Sequence, residues 1–188
     1  MRTANLAWLF ILGGLLALLP VGATSAYRLG QTGRVVIVPC DVRAYVLDRD
    51  ASSLNARSGP GKTFKAIGNL SNQKVEGIRV HITAASGEWL LVDRAVEEGG
   101  VQERILFQGK GWVYARLLGV SGMAITQGGT NLYQDKSKKS HVIIRVPGGD
   151  DSVRVRGCDG QWMFVEYKKK KGWAAPDTLC ANSLTTCV

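Results

Sequence analysis

Two tryptophan motifs occur twice in this chain, in the same order. Each copy has a Gly-x-Trp motif, at residues 87–92 and 160–165, followed by a Gly-Trp motif, at residues 111–113 and 172–174. Self-similarity over this length is typical of two copies of one small supersecondary unit. Two such units occupy most of a chain of 188 residues. The repeat therefore argues against a separate catalytic domain.

The N-terminus has the composition of a secretory signal peptide over residues 1–26. One positive charge precedes an apolar run at residues 6–19, Pro20 follows, and small residues allow cleavage after Ala23 or Ala26. The alternative is an uncleaved membrane anchor, because the apolar run is close to the shortest that spans a bilayer. We expect an exported protein, periplasmic or extracellular.

The number of cysteines is consistent with an exported protein. The cysteines are even in number, which in an oxidising compartment predicts two disulfides. They are Cys40, Cys158, Cys180 and Cys187. Their pairing is open at this point, and three of them lie near the C-terminus, so we expect the second copy to be the cross-linked one. No Cys-x-x-Cys spacing exists, and His81 and His141 lie far from every cysteine, so we expect no metal site.

The rest of the chain predicts an all-β fold. Short apolar or alternating runs are separated by clusters of Gly, Pro, Asn, Asp and Ser, the pattern of short strands joined by turns. These runs are residues 35–38, 42–47, 75–82, 89–92, 111–114, 141–146, 152–156 and 162–167. We expect two small barrels in tandem, with the tryptophans in their cores.

Aligning the copies divides the chain into an N-terminal strand or extension at 27–50, a first domain at 51–118, a linker at 119–129 and a second domain at 130–188. The first copy has twelve additional residues between its tryptophans. They fall within residues 94–108 and predict a lengthened hairpin.

The alignment pairs Leu54 with Leu132, residues 67–70 with residues 143–146, and Leu118 with Leu179. The copies differ at their openings. The first copy has an Arg-Ser-Gly-Pro stretch that the second copy lacks. We therefore expect the first copy to bind a ligand and the second to contribute stability.

The first copy resembles the bacterial SH3 domain (SH3b). The resemblance rests on residues 54–61, Ile67-Gly68, residues 87–92, Gly111-Trp112-Val113 and Leu117-Leu118, in that order. The second copy is similar in its latter half. The resemblance implies SH3-like barrels, no cofactor, and a binding role. Members of this family are often targeting modules for cell-wall peptidoglycan, or adaptors joined to wall hydrolases.

The candidate ligand-binding residues lie in or beside the first loop, where aromatic rings and adaptable polar groups are close in sequence. They are Asn55, Arg57, Ser58, Lys62, Phe64, Trp89 and Tyr114. The expected ligand is peptidoglycan. The alternative is a protein–protein adaptor or scaffold of the envelope, possibly partnering a wall hydrolase, with the long hairpin as its contact.

Charge provides a second candidate site. The net charge of +9 at pH 7 favours anionic partners. The densest cluster is Lys168, Lys169, Lys170 and Lys171, at the tip of a predicted hairpin. One interpretation is a solvated turn that blocks edge pairing. The other is a contact for an anionic surface, at about 1 kcal/mol per charge.

Catalysis and nucleotide binding are not expected. Residues 56–63 satisfy a relaxed phosphate-loop pattern, but a strand-like run follows them where a phosphate loop needs a helix. A disulfide-bonded cysteine cannot act as a nucleophile beside histidine. Nucleic acid is disfavoured because the protein is expected to be exported. We predict a non-enzymatic binding protein without cofactor or metal.

Overall fold

The strands follow the alternating runs of the sequence. A computed structural model describes residues 35–47, 54–70, 75–99, 102–123, 128–185 and 187. The predicted signal peptide, both of its cleavage sites and the start of the predicted extension lie outside the described residues.

Thirteen β-strands make up the described fold, with one short 3-10 turn at Ala115–Leu117. The strands are β1 Val38–Val46, β2 Asn55–Arg57, β3 Ala66–Asn69, β4 Gly77–Ser86, β5 Trp89–Glu98, β6 Ile105–Tyr114, β7 Leu118–Gly122, β8 Gly129–Tyr133, β9 Val142–Pro147, β10 Val153–Asp159, β11 Trp162–Tyr167, β12 Lys170–Ala174 and β13 Leu179–Cys180. The all-β prediction is confirmed. The expected lengthened hairpin is present as the ten-residue strands β5 and β6.

The strands form one antiparallel sheet that does not close on itself. Its order is β3-β2-β6-β5-β4-β1-β7-β10-β11-β12-β8-β9, and β13 pairs with β7 outside this path. The two halves of this order contain the same series of pairings. The series β3-β2-β6-β5-β4-β1 in the first half corresponds to β9-β8-β12-β11-β10-β7 in the second.

The register shows the repeat residue by residue. Ala44 of β1 lies opposite Val80 of β4, as Val120 of β7 lies opposite Val153 of β10. The pair β2–β3 and its counterpart β8–β9 have a bulge at the same place. It follows Ala56 in β2 and precedes Tyr133 in β8. The motif recognised in the sequence therefore extends from β1 through β13.

Strand β7 belongs to both halves. It pairs with β1 at the end of the first half, in the same register in which β13 pairs with β7 at the end of the second. It also pairs with β10, as β1 pairs with β4. Residues 119–122 were expected in a linker, and this prediction needs correction, because they form part of a buried strand.

The predicted pairing of Leu54 with Leu132 is also wrong, by two positions. Leu132 occupies the place of Ala56, and each contacts the glycine of its own Gly-Trp motif. A Cβ on Gly111 would lie 2.7 Å from the Ala56 Cβ, and a Cβ on Gly172 would lie 3.0 Å from the Leu132 Cβ. Matching by hydrophobicity alone aligned two leucines that have different neighbours.

The core is continuous across the two halves. In β4 every second residue is buried, which directs Ile78, Val80 and Ile82 inward. They belong to the same hydrophobic cluster as Leu118 of β7 and Val155 of β10. The described residues group as one compact unit.

Three of the four repeated tryptophans are only partly buried, and none of the four belongs to this cluster. Trp112 is buried, with 7% of its surface exposed, whereas Trp89, Trp162 and Trp173 are only partly buried. The reason is strand alternation: Leu90 and its neighbours on the inward face fill the core, so the ring of Trp89 is directed to the outer face. The expectation of core tryptophans is therefore wrong for these three.

The structure contains two disulfides, as predicted. Cys40 of β1 is bonded to Cys158 of β10, and Cys180 is bonded to Cys187. The first bridge joins the N-terminal strand to the second half, so the expectation that cross-linking serves the second copy alone is wrong. Two such bonds indicate an oxidising, exported environment.

The C-terminal loop closed by the second disulfide is held against the β4–β5 hairpin. The carboxylate of Glu98 is buried, and its Oε2 accepts hydrogen bonds from the Ser183 amide, at 3.0 Å, and from the Ser183 hydroxyl, at 2.7 Å. Arg79 lies 4.0 Å from the other oxygen.

The described part of the chain has no helix of the length and apolarity needed to span a membrane.

Candidate ligand-binding groove

A groove of about 210 Å³ lies on the first half, at the junction of β2, β5 and β6. Five of the predicted binding residues line it, together with two leucines. The lining residues are Leu54, Asn55, Arg57, Lys62, Trp89, Tyr114 and Leu117. The structure thus brings together residues that are up to 63 positions apart in the sequence.

Two aromatic rings form one wall of the groove. Trp89 begins β5 and Tyr114 ends β6, and they are direct cross-strand partners with ring centroids 5.7 Å apart. Before Trp89 the chain turns at Gly87, whose φ of 57° favours glycine. Both rings remain partly exposed, so their faces are available to a ligand.

The opposite wall comes from the loop that follows β2. One nitrogen of Arg57, Nη1, donates a hydrogen bond of 2.8 Å to the carbonyl oxygen of Phe64, and the amide of Ser58 donates one of 2.9 Å to the carbonyl oxygen of Lys65. The Phe64 ring packs directly on Gly59, where a Cβ would lie 2.3 Å from it. Phe64 and Ser58 therefore shape the loop and do not line the groove.

The groove has a cationic character. Arg57 and Lys62 both line it, and within the described residues neither forms an ion pair with a carboxylate. Asn55 adds an amide that can donate and accept hydrogen bonds. Such a groove suits a ligand that combines a carboxylate with apolar surface.

Glu88 fixes one end of the aromatic wall. It accepts hydrogen bonds from the Tyr114 hydroxyl, at 3.3 Å, and from Arg116 Nε, at 3.0 Å. The hydrogen bond from Arg116 is the main reason that the pKa of Glu88 lies below its ordinary value. Arg156 of the second half lies 3.7 Å away and bonds Glu166 at 2.6 Å. Glu88 was not among the residues predicted from the sequence, although its place directly before Trp89 in the motif was a signal.

The loop after β8 has the same backbone course as the loop after β2. The Gln134 amide bonds the His141 carbonyl at 2.9 Å, matching the Ser58–Lys65 bond, and the Ser140 amide bonds the Ser137 carbonyl at 3.0 Å, matching Phe64 and Gly61. The second copy therefore keeps the geometry of the opening while its side chains differ. In place of Arg57 it has Tyr133.

The lysine cluster lies at a separate turn, between β11 and β12, and lines no part of this groove. Lys168 and Lys169 have φ values of 47° and 64°, a conformation that two-residue hairpins normally give to Asn and Gly. The Lys168 Nζ lies 5.1 Å from the centre of the Tyr167 ring. Strand β8 pairs with β12 at Trp173 and Ala174, and the lysine end of β12 lies beyond this pairing as a free sheet edge. The interpretation that the lysines block edge pairing therefore also fits.

No protein-family model matches this chain, and no curated protein matches it. Among solved structures, the chain is similar to the structure of NlpC2 from Trichomonas vaginalis. The two have 16% sequence identity and a TM-score of 0.29, and the match covers 76% of this chain and 48% of that one. The chain thus spans about half the length of NlpC2.

The residues considered for catalysis are engaged elsewhere. All four cysteines are in disulfides, so none provides a thiolate. His81 lies between two carboxylates: Nδ1 is 2.8 Å from Asp93 and Nε2 is 3.0 Å from Asp41. In the described ranges there is no cluster of three or more residues suited to hold a metal ion.

The surroundings of His81 predict a pH dependence of stability. Partial burial disfavours the charged ring, but the hydrogen bonds and charges of Asp41 and Asp93 outweigh it, and the pKa of His81 is raised above 6.5. Because the folded pKa is the higher one, the pair stabilises the fold fully below pH 6.5 and loses this contribution as pH rises through the folded pKa.

We therefore expect Asp93→Asn to lower the free energy of unfolding more at pH 5.5 than at pH 8.5, by at most about 1 kcal/mol because the His81–Asp93 pair is partly exposed to solvent. Urea unfolding at the two pH values measures this difference. An NMR titration of the imidazole gives the pKa directly, and a value at or below 6.5 in the wild type would contradict the assignment.

Proposed function

We propose that this protein is an exported, non-catalytic binding protein that recognises a component of the bacterial cell envelope, with peptidoglycan as the ligand of the groove on the first half. The two halves are, in this proposal, SH3b-like barrels that share β7. One observation carries the proposal: Arg57, Lys62, Trp89 and Tyr114 line one open groove.

The chemistry of the groove fits a peptide stem of the wall. Such stems carry free carboxylates, which suit the guanidinium of Arg57 and the ammonium of Lys62. They also carry small apolar side chains, which pack on the faces of Trp89 and Tyr114. Asn55 also lines the groove, and its side-chain oxygen accepts a hydrogen bond from the Asn69 amide at 3.5 Å. No step of bond making or breaking is needed.

The proposal predicts the effect of Trp89→Ala on wall binding. Removing a central aromatic residue from a binding site commonly costs about 2 kcal/mol, so we expect retention on purified peptidoglycan sacculi to weaken at least about tenfold. Sedimentation of the protein with sacculi over a concentration series measures the affinity. Circular dichroism confirms that the variant is folded.

Ile67→Ala is the control, because Ile67 of β3 is an exposed apolar residue that lies outside the groove. We expect it to leave sacculus binding within about twofold of wild type. Absence of retention of the wild type at low salt would contradict the proposal, as would equal loss of binding in both variants.

A protein adaptor is the second candidate, and one observation favours it. Ile105, at the start of β6 in the long hairpin, is 47% exposed, while the charges around it are paired within the hairpin, as in the 2.6 Å bond of Arg94 to Glu103. An exposed apolar residue amid neutralised charges suits a protein contact. An adaptor of this kind would be retained by an envelope protein and not by purified sacculi, so the same experiment separates the two functions.

A further inference from the structure

The second half carries a row of aromatic rings on its outer face that the groove does not use. Phe164 of β11, Trp173 of β12 and Tyr133 of β8 are direct partners across three adjacent strands. The centroids of Phe164 and Trp173 are 5.0 Å apart. Trp162 lies two residues before Phe164 on the same face of β11, and its ring contacts Tyr133 with centroids 6.2 Å apart.

These four rings, here called the aromatic row, are partly exposed although the inward face of the same strands is well packed. In β11 the alternate residues Met163, Val165 and Tyr167 are buried and fill the core. Hydrophobic burial therefore does not require aromatic residues at the outward positions. In the first half the equivalent positions are more varied, with Arg57 in place of Tyr133 and Leu91 in place of Phe164.

Cationic groups continue the same face beyond the rings. Lys171 lies two residues before Trp173 on the outer side of β12, and the turn with Lys169 lies beyond it. The Lys168 Nζ, in contrast, lies 5.1 Å from the centre of the inward Tyr167 ring. Within the part of the chain that the structure describes, none of these three lysines forms an ion pair. From Trp162 to the turn the face is about 20 Å long, at ~3.3 Å per residue.

The acidic groups on this face are already neutralised. Glu166 lies opposite Lys171 and bonds Arg156 at 2.6 Å. Asp159 is paired with Lys136, whose Nζ also lies 5.5 Å from the centre of the Trp173 ring. Among the described residues, Lys169 and Lys171 are therefore cations of this region without an ion pair, and their sign selects an anionic ligand.

We infer that the aromatic row and the lysine turn form a second binding site, separate from the groove, for an anionic polysaccharide. Sugar rings present a face of C–H groups that packs on partly exposed aromatic rings, and the acidic substituents of such a chain would reach the lysines. Aromatic platforms in a cationic setting also stack nucleic-acid bases. The oxidising environment indicated by the disulfides favours the polysaccharide.

The left-handed conformation of the turn supports a role for its lysines. A non-glycine residue in this region is sterically strained, and Asn-Gly would form the same turn with less strain. The sequence keeps lysine at both positions in spite of this strain. The double variant Lys168→Asn/Lys169→Gly therefore removes two charges with residues that favour this turn, and circular dichroism checks that it is folded.

The test compares three soluble polymers by isothermal titration calorimetry: polygalacturonate, which has sugar rings and carboxylates; dextran, which has neutral sugar rings; and polyphosphate, which has charge without rings. We expect polygalacturonate to bind at least about tenfold more tightly than either of the others. Trp162→Ala should weaken this binding at least about tenfold, and Trp89→Ala by less than about twofold. The lysine-turn double variant should weaken binding and flatten its salt dependence.

Two results would overturn the inference. One is equal affinity for polyphosphate and polygalacturonate, with no effect of Trp162→Ala in a folded protein, which would leave charge alone as the cause. The other is tighter binding to single-stranded DNA or to phosphatidylglycerol vesicles than to polygalacturonate, which would assign the face to a different occupant. Because the groove is tested with sacculi and Trp89→Ala, failure of this site and failure of the proposed function give different results.

Discussion

Replacing Cys40 and Cys158 with alanine is expected to lower the free energy of unfolding by about 5 kcal/mol, because the bridge closes a long loop and its loss frees the unfolded chain. The two cysteines are 118 residues apart in sequence. In the chain-entropy model, stabilisation rises with the logarithm of loop length. Equilibrium unfolding in urea under oxidising conditions measures the change.

The double variant Cys180→Ala/Cys187→Ala is the matched control for this experiment. These cysteines are only 7 residues apart, so the same model gives a loss of about 2 kcal/mol. The control also lacks one disulfide and has the same composition change. If both pairs had equal effects, the long-range bridge would not have the stabilising role assigned to it.

Leu118→Ala is expected to cost about 3 kcal/mol and to destabilise both halves together. Leu118 is fully buried at the start of β7, the strand that the halves share. Truncating a buried leucine removes apolar contacts and leaves a cavity, at a typical cost of about 2–5 kcal/mol. Strand β7 is paired with β1, β10 and β13, so if β7 is disordered neither half retains a complete set of strand pairings.

Hydrogen exchange followed by NMR distinguishes shared from local destabilisation, because amides of β4 and β10 report on the two halves separately. We expect protection to fall by the same factor in both strands. Leu179→Ala provides the control, as Leu179 has the equivalent position in β13 at the end of the repeat and is only partly buried. Separate unfolding transitions for the halves would show that β7 does not couple them.

The groove shows how far residue types and local order can predict a site. The aromatic and cationic residues around the first loop were recognisable because they stand in a turn-rich stretch and in the repeated motifs. Five of the seven predicted residues line the groove. Phe64 does not line it, because its ring packs on Gly59, a contact that depends on how the loop folds back.

Glu88 and the aromatic row were harder to predict for a different reason. The partners of Glu88 come from two separate segments: Tyr114 and Arg116 lie at and just after the end of β6, and Arg156 lies in the other half of the molecule. The aromatic row requires the register of β8, β12 and β11, which sets Tyr133, Trp173 and Phe164 side by side. Pairing between strands that are distant in sequence cannot be derived from local alternation.

By itself the amino-acid sequence determined the class of fold and the repeat, because strand alternation and turn residues are local features of the chain. It also determined the number of disulfides, because that number follows from an even number of cysteines. Only the tertiary structure decided that Gly119 and its neighbours belong to a shared strand, that Cys40 is bonded to Cys158, and that three tryptophans lie on the outer face. The physical reason is common to all three. Each depends on which distant strands lie side by side, and that is set by the packing of one continuous core.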